Sequence, residues 1–218
     1  MKVRPKIKIC GITNYNDAHY SIVKGADFIG FIFYEKSPRY INPIEAGIIM
    51  EKIRGEFKNI ARFVGVFVNP SVGYLEDVIF KSGIDMVQLH GDETVDFIES
   101  FLGNEKNKDI PVIKAMRIKD ENDIIKSDQF DTDYILFDTY YKGIYGGTGK
   151  VFNWTLLDGF KRKENLFLSG GLDSKNIVDA VEKVNPHAVD ISSSLESEPG
   201  KKDRKKVNEF FEAISSIN

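Results

Sequence analysis

Apolar runs of strand length recur along the chain, and between them the apolar residues fall at helical spacing. The runs are Lys6–Cys10, Phe28–Phe33, Arg62–Val68, Met86–His90, Val112–Arg117, Tyr134–Asp138, Leu166–Ser169 and Ala188–Ser192. The intervening stretches include "NDAHYSIVKG", "PIEAGIIMEKIRGEF", "VGYLEDVIFKSG", "ETVDFIESFLG" and "SKNIVDAVEKV", each with apolar positions three and four apart. The terminal "KKDRKKVNEFFEAISSI" predicts a last helix with Phe210, Phe211 and Ile214 facing inward. Gly25, Gly83 and Gly103 follow the last apolar positions of three helices, as C-terminal caps do. Eight strands alternating with eight helices predict an α/β fold: a (β/α)8 TIM barrel, one domain over residues 1–218. The competing fold, an open doubly wound sheet, would carry G-x-G-x-x-G after its first strand, and none follows Cys10.

Alternation also sorts side chains between the two faces of each strand. Positions covered by helices should be apolar. Ile7 and Ile9 therefore face out, leaving Lys8 and Cys10 inside. By the same parity Gln88 and His90, then Asp138, then Asp190 and Ser192 point into the barrel, and Lys114 shares the inward parity with Met116. A purely structural barrel interior is filled with branched apolar residues. Polar groups there are costly without partners, so a cluster of them at the strands' C-terminal ends marks a site on the catalytic face of this fold.

Composition narrows the chemistry. The chain has 218 residues and a formal net charge of −3, which offers no bulk attraction to nucleic acid or to a membrane. The basic opening "MKVRPKIKICGI" is not followed by an apolar run of signal-peptide length. One cysteine, Cys10, cannot form an internal disulfide or a Cys-rich zinc site, and it fits a reducing cytoplasm. A lone Cys is ordinarily a small buried hydrophobe.

Three turns rich in Gly or Ser follow the last three strands: "GGTGK" at Gly146–Lys150, "SGGL" at Ser169–Leu172 and "DISSSLE" at Asp190–Glu196. Successive backbone N–H groups in such turns can hold an anion, and the loops after strands seven and eight are the recurrent phosphate site of the fold. Candidate ligands are Gly147, Gly149, Gly170, Gly171, Asp190, Ser192, Ser193 and Ser194. A P-loop reading of "GGTGK" fails on spacing, because Ile144 and Val151 stand where Gly and Ser or Thr are required.

Taken in order, "KICGIT", "GFIFYEKSPRYI", "VGVFVN", "VQLHGDE", "FDTYYKGIYGGTGKVFNW", "LSGGL" and "VDISSSLESEPGKKD" resemble the N-(5′-phosphoribosyl)anthranilate isomerase family over nearly the whole chain. The resemblance implies an isomerase of tryptophan biosynthesis. Its reaction would be an Amadori rearrangement of an aminoaldose phosphate to an aminoketose phosphate, with no metal or other cofactor. The implied partner is this small phosphorylated aminosugar alone, bound by a cytoplasmic monomer or homodimer. Matched residue by residue, Cys10 takes the family's general-base position, Asp138 its general-acid position, and Arg39 that of the arginine binding the anthranilate carboxylate.

A free carboxylic acid titrates near 4 and a free thiol near 8.5. The chemistry therefore asks Asp138 to keep its proton at neutral pH and Cys10 to lose one, with its pKa lowered. Lys8, two residues earlier on the same face, is placed to stabilise the thiolate, and Gln88 and His90 support the site. Two positions depart from the family pattern: Ser194 replaces a Gly and Leu195 a Val. A left-handed backbone at Ser194 would cost about 1 kcal/mol. Either the turn differs here or Ser194 adds a hydroxyl donor to the phosphate. The nearest rivals are another phosphosugar barrel enzyme, such as a two-aspartate isomerase, and a non-catalytic phosphate-binding barrel.

Overall fold

Parallel strands buried on both faces need apolar residues at nearly every position, and the eight runs meet that need. In the computed structural model, which describes residues 4–57, 61–139 and 153–217, they form β1 (Lys6–Cys10), β2 (Phe28–Ile32), β3 (Arg62–Phe67), β4 (Met86–Leu89), β5 (Val112–Ile118), β6 (Tyr134–Thr139), β7 (Leu166–Leu168) and β8 (Ala188–Ile191). Every strand starts where the sequence reading starts it, and the ends differ by one residue at most. Neighbours pair in chain order, and β8 closes on β1 to complete a parallel barrel.

The helices are α1 (Tyr15–Lys24), α2 (Pro43–Glu56), α3 (Val72–Ser82), α4 (Val95–Leu102), α5 (Glu121–Ser127), α6 (Ile177–Val184) and α7 (Arg204–Ser215). Side-chain caps start most of them: Asn14, Asn42, Ser71, Thr94, Asp120 and Asp203 each accept a backbone N–H of the first turn. Gly25 and Gly83 end α1 and α3 in the left-handed region, at φ 105 and 70. Gly103 departs from that expectation. It follows α4 with φ −64, as right-handed backbone.

The expected eight α-helices are seven among the described residues. Between β6 and β7 the described chain has two 3-10 turns instead, Trp154–Leu157 and Lys163–Asn165. Asp158 and Gly159, both poor helix formers, follow directly on Leu157.

A repeated device sets the lower rim. Asp27, Asp85 and Asp133 each stand one residue before an even strand, and each carboxylate accepts an amide near the start of the preceding odd strand: Ile7, Phe63 and Val112. These amides would otherwise lack a partner at the barrel's open end. Above the rim, Phe28, Val64, Met86, Ile113, Leu136 and Phe167 fill the barrel floor as a separate inner cluster. The larger core lies between strands and helices.

One inward assignment is overturned. Ile113 and Ala115 belong to the inner cluster, so Lys114 and Met116 face the helix layer. Lys114 is buried there because its ammonium donates to the Glu93 carboxylate at 2.7 Å and to the Gly91 carbonyl at 2.9 Å. A polar residue in a strand thus pointed outward, where an ion pair satisfied it. No helix among the described residues is long and apolar enough to cross a membrane.

Candidate active site

Above the apolar floor the inner face turns polar. Lys8, fully buried on β1, donates to Asp190 Oδ1 of β8 at 3.0 Å and reaches across the barrel to Gln88 Oε1 of β4 at 2.8 Å. The Gln88 amide nitrogen lies 2.8 Å from His90 Nδ1, and His90 Nε2 lies 3.3 Å from Asp138 Oδ2. Cys10 and Asp138, at the C-terminal ends of β1 and β6, line one cavity together with Arg39, Gln88, His90 and Ser192. The structure therefore gathers the expected base, acid, arginine and supporting residues at one mouth of the barrel. Two wider clefts, beside α5 and at the lower rim, touch neither Cys10 nor Asp138.

Two glycines make room for the reacting groups. A Cβ on Gly30, the register partner of Cys10, would stand 2.8 Å from the Cys10 sulfur. A Cβ on Gly170 would stand 2.8 Å from Asp138 Oδ1 and would clash with Thr139 Oγ1, and Gly170 also has φ +90, which L side chains rarely adopt. The Asp138 carboxylate accepts the Thr139 amide at 2.7 Å, which fixes its Oδ1.

Thiol acidity runs against the sequence expectation. Burial pushes the Cys10 pKa up; Lys8 and Lys202 pull it down, Asp190 adds to the rise, and the balance is raised rather than lowered. Lys8 is pushed up in turn: burial opposes its charge, but Asp190 and Cys10 outweigh burial. The resting form of Cys10 is thus the thiol.

A smaller hollow adjoins the cavity, lined by Gly170, Gly171, Ser192, Ser193 and Ser194 and shared with Asp138 and Asp190. Gly170 and Gly171 are left-handed, and Ser193–Leu195 form a 3-10 turn, so two backbone turns meet here. Asp190 is engaged by Lys8 at the hollow's edge. The two possibilities for Ser194 resolve into the first. Its backbone is not left-handed, and its hydroxyl donates to the Leu172 carbonyl at 2.5 Å, tying the β8 turn to the β7 turn. Gly147 and Gly149 lie outside the described residues.

Arg39 sits on the cavity rim but is already paired. Its Nε and Nη2 clasp the Glu196 carboxylate at 2.8–3.0 Å, and Nη1 has no hydrogen-bond partner among the described residues. Glu196 also accepts from Lys202, whose ammonium donates to the carbonyls of Cys10 and Ser192 as well. Glu196 and Lys202 belong to a small antiparallel hairpin, β9 (Glu196–Glu198) and β10 (Lys201–Lys202), that follows the Ser193–Leu195 turn. Sequence reasoning assigned neither residue a role. The local signal for a hairpin in "ESEPGKK" is the turn pair Pro199-Gly200 with opposite charges on either side.

A closed parallel barrel with a thiol and a carboxyl facing one cavity at its C-terminal mouth has the layout of a barrel enzyme acting on a small molecule. The family model for N-(5′-phosphoribosyl)anthranilate isomerase matches residues 7–213. The chain belongs to this isomerase family. It is 44% identical over 216 residues to the N-(5′-phosphoribosyl)anthranilate isomerase of Thermotoga neapolitana, a match that covers 97% of this chain and 99% of the relative. Among solved structures it resembles the phosphoribosyl anthranilate isomerase of Thermotoga maritima, with a TM-score of 0.83 and 37% identity over 98% of this chain and 100% of that one. A solved phosphoribosyl anthranilate isomerase in complex with reduced 1-(o-carboxyphenylamino)-1-deoxyribulose 5-phosphate gives a TM-score of 0.81 at 35% identity, covering 98% of this chain and 100% of that one.

Proposed function

We infer that the chain is a phosphoribosylanthranilate isomerase, converting N-(5-phosphoribosyl)anthranilate to 1-(2-carboxyphenylamino)-1-deoxyribulose 5-phosphate. Cys10 and Asp138 on one cavity, with an anion hollow adjoining it, carry the reading. Asp138 gives a proton to the furanose ring oxygen and opens the ring to a protonated Schiff base. The imine cation acidifies the proton on sugar C2. Cys10 removes that proton, and the resulting enolamine tautomerises to the ketone.

The raised pKa of the buried thiol fits a base that is drawn out by its substrate. Lys8 and Lys202 already favour the thiolate, and the imine cation adds a third positive charge beside it. Backbone amides of Gly170, Gly171, Ser193 and Ser194 hold the phosphate, and Nη1 of Arg39 takes the aryl carboxylate.

The test mixes purified protein with phosphoribosylanthranilate and follows the loss of its fluorescence. Replacing Cys10 or Asp138 with Ala should lower turnover by roughly 10²–10⁴-fold while leaving the unfolding midpoint within a few degrees. Retained turnover in both variants would remove the proposed roles, and no fluorescence loss with wild-type protein would remove the activity.

A further inference from the structure

The polar chain above the barrel floor has a direction. An ammonium group only donates, so Lys8 requires an oxygen opposite it, and the Gln88 carboxamide presents Oε1 to Lys8 at 2.8 Å. That choice turns the amide NH2 toward His90, 2.8 Å from Nδ1. Nδ1 must then accept, and the ring proton sits on Nε2. Nε2 is buried, has no hydrogen-bond partner among the described residues, and lies 3.3 Å from Asp138 Oδ2 at the cavity wall.

We propose that Gln88 is a positioning residue that fixes the His90 proton on Nε2, where it meets the Asp138 carboxylate as that carboxylate forms. The proposal rests on the reading of Asp138 as the general acid. When Asp138 releases its proton to the substrate, negative charge develops on its carboxyl group. Oδ1 is already held by the Thr139 amide. His90 Nε2–H supplies a second donor, fixed in advance and shielded from water, and its hydrogen bond is stronger to the anion than to the acid. The donor therefore favours the transition state over the bound ground state. Lys8 sets the direction from the far side of the barrel, so one buried cation serves both proton handlers: it opposes the Cys10 charge directly and orders the Asp138 side through Gln88 and His90.

Nitrogen-15 NMR of the imidazoles tests the proposal. The chain has 3 histidines, so a His90→Gln variant assigns the ring by its missing signals. The expected wild-type pattern is a neutral His90 ring with its proton on Nε2. Gln88→Glu keeps the shape but offers Nδ1 only oxygen acceptors, so the proton should move onto Nδ1. In the same variant kcat should fall by about tenfold or more with KM changed by less than about threefold, since the lost donor acts in the transition state. A wild-type proton on Nδ1 would overturn the proposal, and so would a Gln88→Glu variant with unchanged tautomer and kcat. If that variant fails to fold, the wild-type spectrum alone decides. The tautomer is read without turnover, so a failure of Asp138→Ala to slow the reaction would overturn the acid assignment and not this proton placement.

Discussion

Glu196→Gln is the sharpest probe of the site's electrostatics, because the substitution keeps the side chain's shape and removes only its charge. The Glu196 side chain is 4% exposed and that of its partner Lys202 is 2% exposed, so the pair is shielded from solvent. Breaking a buried pair from one side leaves an uncompensated charge and costs about 3–5 kcal/mol. Arg39, 15% exposed, retains more water and adds less. The loss has a ceiling that depends on pH. Burial already lowers the Lys202 pKa from its ordinary value, with Glu196 opposing the fall, and the variant removes that opposition.

Between the variant's depressed pKa and the unfolded value near 10.5, the unfolded chain binds one more proton than the folded one. Stability in that window rises with pH by about 1.4 kcal/mol per unit. The deficit of Glu196→Gln should therefore narrow as pH rises from the variant's Lys202 pKa to the higher, still depressed wild-type one, and stay constant above it. Urea unfolding at a series of pH values measures this directly. Adding Lys202→Met, which removes the orphaned cation, should recover part of the loss. A single variant within about 0.5 kcal/mol of wild type, or a deficit that widens as pH rises, would refute the reasoning.

Two further outcomes follow from the same geometry. Gly170→Ala forces a side chain into a left-handed position and against Thr139 and Asp138; kcat should drop by about tenfold or more through displacement of the carboxyl, alongside a loss of roughly 1–3 kcal/mol in urea unfolding, and normal kcat would show that Asp138 tolerates the push. Lys8→Met removes a charge that lowers the Cys10 pKa; titration of the thiolate's ultraviolet absorbance should show ionisation shifted to higher pH, and an unchanged titration would exclude Lys8 from that role.

Much of the barrel was legible because its strands answer to one rule. Residues covered on both faces must be apolar, so the runs beginning at Lys6, Phe28, Arg62 and the rest stand out against amphipathic helices. The same rule exposed Lys8, Cys10, Gln88, His90, Asp138 and Asp190, polar residues on an inner face that has no structural need of them. It failed at Lys114, where parity was inferred from polarity alone; an ion pair with Glu93 satisfies the ammonium in the outer layer, and no local pattern announces a partner 21 residues away. Glu196 and Lys202 were illegible for a similar reason. Their burial comes from a hairpin folded back over β1, while in sequence they read as ordinary surface charge. The raised Cys10 pKa depends on how completely the thiol is buried, which spacing does not encode.

The charges around Cys10 make sense only when read together with the apolar floor beneath them. Lys8 and Lys202 both favour the thiolate, yet burial and Asp190 leave the resting group a thiol. A base of permanently lowered pKa would be a standing thiolate, open to oxidation and alkylation. In this arrangement the two lysines bring the thiol part of the way, each held by a carboxylate that limits its reach: Asp190 for Lys8 and Glu196 for Lys202. Under the proposed mechanism the remaining shift would come from the imine cation, which forms only after Asp138 has opened the ring. On that proposal, proton removal at C2 would follow proton donation at the ring oxygen, with the order set by electrostatics and no moving part of the protein required.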